Sequence, residues 1–446
     1  MGVKDAPPGV RIEYAAPFNS DSALPCGLFY LLCSALHVRS ALREGKGPAM
    51  LTLFYLLVLE QVLQGLGGLW DGLRWLHMAQ RRIASHGGFY APRIALFCPV
   101  KGIESGLEQN LAALTLFDYP DYDIFFSIAS GDDPARKILE KLAASSKHKV
   151  HIVIAGRPDG CSEKVNNLRA AVQQAKQGYD VFVFCDSDGR PARSWLSHLV
   201  APLADPKLGA VTTFRWFFQQ RHGFWSAIAS AWNAPAATYL GEHHDNFCWG
   251  GGTAIRRERF EQANVLEYWN GSVSDDLSLT AALRRMGAPI LFAPECMVPT
   301  LFDCDARGLL EFTNRQIIIL RVYESRLWKL GGLAHLLYCG AVLSGVGLYF
   351  SELVQGAPAV HLLLLAMLPP VLSMARGVLR LTALMELLPA WKSKLLADSW
   401  VWTLLAAVVP FLALWNSAVA LFSRRIRWRG IGYLLLSPGQ TRVLTR

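Results

Sequence analysis

Charge is missing from long parts of this sequence. Residues 330–350, 353–375 and 399–423 contain no Asp, Glu, Lys or Arg, and residues 48–70 are apolar apart from Glu60 and two Gln. Each run reaches the ~20 residues needed to cross a bilayer core. Runs of this length, clustered at one end of a chain that is 52% hydrophobic, exclude an ordinary soluble globule. Paired cysteines are missing too. The nine cysteines include no Cys-x-x-Cys, which excludes a disulfide framework and a zinc ribbon and fits a reducing compartment. The apolar stretch 26–36 has no basic n-region before it, so it reads as an interfacial helix rather than a signal peptide. Met1-Gly2 opens like a myristoylation site, but Ala6 stands where Ser or Thr is required.

The charge that is present is basic, with a net value of +9. Nucleic acid is not the expected partner, because the basic residues concentrate beside apolar segments: Arg376 and Arg380, Lys392 and Lys394, then Arg424, Arg425, Arg427 and Arg429. Attraction to anionic headgroups explains that placement. Arg74, Arg81 and Arg82 follow the first apolar run, and the positive-inside tendency puts the next domain in the cytoplasm. Asn270-Gly271-Ser272 would then stay unglycosylated. The expected organisation is an N-terminal segment, 1–92, with one membrane helix at about 48–70; a cytosolic domain, 93–328; and a C-terminal membrane domain with a basic tail, 329–446. Three simple crossings cannot leave both C-terminal basic clusters in the cytoplasm. Either 353–375, with Pro369-Pro370, or 399–423, with Pro410, is expected to be re-entrant or interfacial.

Between 93 and 185 the pattern alternates: strands at 93–98, 123–129, 149–154 and 180–185, with helices at 107–117, from Pro134, and at 163–177. Such alternation predicts an α/β domain with parallel strands, whose ligands sit beyond the strand carboxyl ends. Carboxylates stand at two of those ends, in Gly131-Asp132-Asp133-Pro134 and Asp186-Ser187-Asp188. An Asp-x-Asp pair leaving a strand can aim two hard oxygen ligands at one divalent cation, although turn-forming and capping carboxylates occupy such places as well. A third acidic pair, Asp275-Asp276, opens a helix capped by Ser274 and stopped by Gly287, after Gly250-Gly251-Gly252, whose backbone could approach a ligand closely. His243-His244-Asp245 reads as a surface or acceptor-side loop, since neighbouring side chains point apart.

With these residues in hand, 93–328 resembles the ceramide glucosyltransferase family among inverting GT-A-type glycosyltransferases. The resemblance rests on Pro99-Val100-Lys101-Gly102, Asp118-Tyr119-Pro120, Asp132-Asp133-Pro134-Ala135, Lys164-Val165-Asn166-Asn167-Leu168 and Cys185-Asp186-Ser187. Ile426-Arg427-Trp428-Arg429 and Tyr433 resemble the family's ending. The resemblance implies a GT-A-type, Rossmann-like fold flanked by membrane helices, with Asp133 near the donor nucleotide, Asp186 as a metal-site aspartate and Asp276 as the general base. Lys101, Lys164, Asn167 and Arg315 are expected on the donor side, and Asp188 is expected to join Asp186 on Mg2+ or Mn2+. One departure stands out: the family's Arg-Trp pair after the base is missing from Arg315-Gln316-Ile317-Ile318-Ile319. That argues against a processive polysaccharide synthase.

The expected reaction moves one hexose, glucose foremost, from a UDP-sugar to a lipid hydroxyl, ceramide foremost, with inversion to a β-glycolipid at the cytosolic membrane face. Diacylglycerol, a sterol or a hopanoid are alternative acceptors. Trp216, Phe217, Phe218, Phe224, Trp225 and Trp232 are expected to help hold the site at the headgroup plane. A non-enzymatic membrane nucleotide-binding protein is the reading from another class, and it would call for ionisable residues inside the spans, which are nearly absent beyond Glu60. Sequence leaves the oligomeric state open.

Overall fold

The structure is a computed structural model that describes residues 47–84, 90–175 and 178–445. The expected interfacial helix at 26–36 lies outside the described residues. The first unit of the chain ends at Tyr55, inside the helix Gly47–Ala84, and the second, Leu56–Arg446, contains the sheet domain and the candidate site.

The second unit is built on a mixed seven-stranded sheet. Its strands are β1 (Ile94–Pro99), β2 (Tyr122–Ile128), β3 (Val150–Ile154), β4 (Val181–Cys185), β5 (Ala210–Thr212), β7 (Gly252–Arg256) and β8 (Ile290–Phe292), in spatial order β3-β2-β1-β4-β7-β5-β8. The first four run parallel, and β7 lies antiparallel to both β4 and β5. Two short strands outside this sheet, β6 (Arg215–Phe218) and β9 (Val298–Leu301), pair in parallel.

Alternation along the strands explains why they read as unbroken apolar runs. Ile94, Leu96 and Cys98 face one core with Ile124, Phe126, Val181 and Val183. Ala95 and Phe97 face the opposite core with Phe125, Phe182 and Phe184. Both faces of the central strands β1, β2 and β4 are covered, while the edge strand β3 keeps an exposed position at Ile154. The helix Glu163–Gln174 covers the second face through Val165, Leu168, Ala171 and Val172.

The first face is covered partly from outside the α/β stretch. Trp75, Met78 and Ala79 of the helix Gly47–Ala84 reach it, as do Leu384, Leu395 and Trp402 from the C-terminal region. Trp402 is buried against Trp216 at 5.6 Å and Phe218 at 5.9 Å. Truncating such a side chain to Ala costs about 3–5 kcal/mol, so this packing is a substantial part of what joins the two regions.

Among the described residues, three helices are long and apolar enough to cross a membrane: Ala49–Ala84, Ser325–Val354 and Val360–Leu387. The first continues well past residue 70, so Arg74, Arg81 and Arg82 lie on it rather than after it. Arg81 and Arg82 pair with Glu242 at 2.5 Å and Glu295 at 2.7 Å, tying this helix to the sheet domain. The expected segment 353–375 divides differently: Leu353 and Val354 finish one helix, and the next begins at Val360. Pro369 sits in the first turn of Leu368–Leu387, where its missing N–H costs nothing. The bend falls in the last segment, where Ser399–Ala407 and Val409–Phe422 meet at 63°.

Two expectations about surface chemistry are corrected. Trp216, Phe217 and Phe218 are core residues at 1% exposure or less, whereas Phe224 and Trp225 are exposed. Arg380 is buried, donating to Thr238 at 3.3 Å, and does not face headgroups. The basic ending is a folded antiparallel meander: β10 (Arg425–Trp428), β11 (Ile431–Ser437) and β12 (Gln440–Thr445). Its Ile426, Ile431, Tyr433 and Leu435 pack on Val273, Ile318 and Ile319.

Candidate functional site

Strand order reverses at β1, with β2 and β3 on one side and β4 on the other. In an open α/β sheet the crevice at such a reversal, beyond the strand carboxyl ends, is where ligands bind. A cleft of about 1170 Å³ opens there. Lys101, Lys164, Asn167, Asp186, Asp188, Asp276 and Arg315 all line it. Asp133 does not. Its carboxylate accepts from the Gly102 N–H at 3.0 and 3.2 Å and from the Ala135 N–H at 2.9 Å, tying the loop after β1 to the loop after β2.

Lys164 sits at the centre, near the start of a helix capped by the Ser162 side chain. Its Nζ lies 2.8 Å from Asp186 and 3.1 Å from Asp275. Burial alone would pull this ammonium down, but Asp186, Asp275 and Asp276 more than offset it and hold Lys164 above its ordinary value. Asp275 is pushed up to about 7, first by burial, with Lys164 opposing and Asp276 and Asp186 adding to the rise. Gly250 is required here for space: a Cβ added to it would meet Lys164 Nζ at 2.7 Å and collide with the Asp275 carboxylate.

Asp276 is placed differently from its neighbour. Ser274 caps the helix Asp275–Arg285 by accepting from the Leu277 N–H, and the Asp276 Oδ1 accepts from that same N–H at 2.8 Å and from the Ser274 hydroxyl. Its Oδ2 has only a 3.4 Å approach from the Gly250 N–H and faces the cleft. The Tyr323 hydroxyl steadies this turn, accepting from the Val273 N–H at 2.8 Å, meeting Ser272 Oγ at 2.8 Å and donating to the Pro438 carbonyl at 3.0 Å.

Asp186 and Asp188 leave β4 two residues apart. For Asp186, burial raises the carboxyl, but Lys164 and Arg215 outweigh it and the net direction is down. Asp188 is pushed up, by burial and then by Asp186. Asp188 Oδ1 is buried without a hydrogen-bond partner, and the nearest cation to Oδ2 is Arg215 at 3.8 Å. Two close carboxylates, one with an unsatisfied oxygen, fit a divalent cation. Among the described residues no group of three or more His, Cys, Asp or Glu side chains is placed to hold a metal ion.

Asn167 is buried, donates to the Ser127 carbonyl at 3.4 Å and leaves its side-chain oxygen unpartnered. Lys101 pairs with Glu163 at 3.1 Å. Arg315 lies over Phe312 and Trp428, each at 5.5 Å, and donates to the Arg427 carbonyl at 3.3 Å. Burial, then the nearby Arg215, bring its guanidinium down to about 10. His244 and Asp245 form an exposed surface pair.

Several cleft residues escaped the sequence reading. Arg215, Glu104, Trp249, Trp428 and Arg429 all line it. For the last two a signal existed: Arg425 and Arg427 alternate with Ile426 and Trp428 before a Gly, which is the period of a strand entering a turn.

The chain is similar to several known glycosyltransferases. Ceramide glucosyltransferase 1 of Caenorhabditis elegans is 23% identical over 235 residues, covering 50% of this chain and 48% of that protein. Ceramide glucosyltransferase 3 of the same organism is 20% identical over 201 residues, covering 44% and 43%. The chain thus spans about half the length of the curated relatives it matches. Among solved structures, a mannosyltransferase from Pyrobaculum calidifontis in complex with GDP-Man and Mn2+ has a TM-score of 0.41 at 17% identity, covering 82% of this chain and 99% of that one. Glucosyl-3-phosphoglycerate synthase from Mycobacterium tuberculosis, in complex with Mn2+, UDP-glucose and phosphoglyceric acid, has a TM-score of 0.34 at 17% identity, covering 53% and 84%. The family model of glycosyl transferase family 21 matches residues 68–441, and the chain belongs to that family.

Proposed function

We propose that this protein is an inverting glycosyltransferase that moves a single hexose, glucose foremost, from a UDP-sugar to a lipid hydroxyl, ceramide foremost, to give a β-glycolipid. The observation that carries the reading is one wall of the cleft: Asp276 presents an open carboxylate oxygen there, in the same cavity as Asp186, Asp188 and Lys164. Family membership and the similarity to ceramide glucosyltransferases support the reaction class.

Asp276 Oδ2 would accept the proton of the acceptor hydroxyl, while Oδ1 stays engaged with Leu277 and Ser274 and fixes the carboxylate's direction. Direct attack by that hydroxyl inverts the anomeric centre, and no covalent carboxylate partner is needed. Mg2+ or Mn2+ held by Asp186 and Asp188 would supply positive charge for the departing diphosphate. Lys164, Arg215 and Arg315 line the same cavity and would hold phosphate oxygens, with Lys101 and Asn167 on the donor side. Asp133 would act on the donor through the loops it ties together.

A lipid acceptor is favoured by what surrounds the cleft. Phe224 and Trp225 are exposed on a helix that also contributes Trp232, Asn233 and Ala236 to the lining, and apolar helices long enough to span a bilayer flank the domain. We take the domain from 93 to 328 to face the cytosol, where nucleotide sugars are made.

The test is to supply the membrane-reconstituted protein with UDP-[14C]glucose and, separately, ceramide, diacylglycerol, a sterol and a hopanoid. Labelled monoglycosylceramide is the expected product. Label in another glycolipid moves the acceptor, label in a polymer favours a processive synthase, and no transfer from any UDP-hexose overturns the proposal.

A further inference from the structure

The C-terminal meander enters the cleft through the turn joining β10 to β11. Trp428 pairs with Ile431, so Arg429 and Gly430 form a two-residue hairpin loop, and both have positive φ, 46° and 83°. Such a turn wants Asn or Gly at its first position, because a left-handed backbone crowds a larger residue. An arginine held there has its side chain aimed by the turn. Its Nη1 donates to the Lys101 carbonyl at 2.9 Å, across 328 residues of sequence, and pairs with Glu104. Lys101 follows β1, so Arg429 stands over the same strand-end crevice as Asp186 and Asp188. Arg429 lines the same cavity as Asp186, Asp188 and Arg315.

The partner of Arg429 is a partly buried carboxylate, Glu104. Burial pushes Glu104 up, Arg429 brings it down, and Asp188 and Asp186 raise it again. A doubly charged anion entering the cleft would compete well for that guanidinium. The helix Ala306–Tyr323 lines the cleft with Phe312, Arg315, Gln316, Ile317, Ile319 and Leu320, and of these Arg315 is the charged one. Trp428 stacks on Arg315 at 5.5 Å, so the hairpin both contributes a cation and supports a second one.

We infer that Arg429, carried on the β10–β11 hairpin, is a ligand for the diphosphate of the nucleotide donor, with Glu104 as the internal carboxylate that the diphosphate displaces. This rests on the donor reading given above. The meander is thereby part of the donor site, and it completes a set of three guanidinium groups, Arg215, Arg315 and Arg429, around the acidic pair.

The test is calorimetric titration of the full-length protein in nanodiscs with UDP and with UMP. Arg429→Ala is expected to weaken UDP by about 10- to 100-fold, the worth of a charge-assisted hydrogen bond, while UMP binding changes little. Arg429→Lys should fall between wild type and Arg429→Ala. Glu104→Gln provides the contrast, because it releases Arg429 from its partner and removes a negative charge, so UDP should bind more tightly. If Arg429 only ties the hairpin to the domain through Glu104, Glu104→Gln and Arg429→Ala weaken UDP and UMP together, and the inference is overturned. An unchanged UDP-to-UMP ratio in Arg429→Ala or Arg429→Lys overturns it alone. A wild-type protein that binds no UDP overturns the donor reading, and this inference with it.

Discussion

Replacing Asp276 by Asn separates a catalytic carboxylate from a structural one at the start of the helix Asp275–Arg285. The structural cost is small. Asn keeps an oxygen to accept from the Leu277 N–H at 2.8 Å and from the Ser274 hydroxyl. What it loses is the favourable interaction of a charge with the helix N-terminus, about 0.3–1 kcal/mol, and the extra strength of a charged acceptor, about 1 kcal/mol. The total of roughly 1–2 kcal/mol should lower the melting temperature by only a few degrees. The catalytic cost is larger. Loss of a positioned base lowers transfer by about 100- to 10,000-fold, equivalent to about 2.7–5.4 kcal/mol on the barrier. Single-turnover transfer of label from a saturating UDP-hexose to lipid, measured beside UDP affinity by titration, distinguishes the two. The expected result is a collapse of transfer with UDP affinity within a few-fold of wild type. Near-normal transfer in a well-folded Asp276→Asn protein would refute the reasoning and move the base elsewhere.

Lys164→Met leaves Asp186 and Asp275 buried without their shared cation, so stability should fall by about 3–5 kcal/mol, and adding Asp275→Asn should recover part of it in denaturant titrations. The raised carboxyl of Asp275 also predicts a pH dependence. Because its folded value, about 7, lies above its unfolded value, its contribution to stability is full at low pH and fades as pH rises toward and through 7. Melting temperatures of wild type should therefore drop more steeply from pH 5 to pH 8 than those of Asp275→Asn. Chelation by EDTA should abolish transfer, with Mg2+ or Mn2+ restoring it, and full turnover in excess chelator would remove Asp186 and Asp188 from any metal role.

The parallel half of the sheet was readable because its strands are apolar on both faces and are bounded by Gly, Pro and Asp, so boundaries fall within one or two residues of those expected. The strands β5, β6, β8 and β9 were not, since runs of three or four residues carry too little pattern to distinguish them from loops. Within the site, Asp186, Asp188 and Asp276 could be picked out by residue type at strand or helix ends. That Lys164 bridges Asp186 to Asp275 is a long-range contact which no local spacing encodes. The C-terminal meander had a signal in the alternation of Arg425, Ile426, Arg427 and Trp428, with Ile426 turned into the core. Gly250 was singled out for close approach to a ligand, and the close approach it makes is to the protein's own Lys164 and Asp275.

The central claim, that one sugar is passed directly from a nucleotide to a lipid with inversion, is tested most directly by the structure of the product. The reconstituted protein would be incubated with UDP-glucose and ceramide, and the extracted glycolipid examined by mass spectrometry and by the anomeric proton coupling in its NMR spectrum. A single hexose in β linkage to the lipid hydroxyl is the result expected. An α linkage, a chain of several sugars, or free glucose with unmodified lipid would contradict the account.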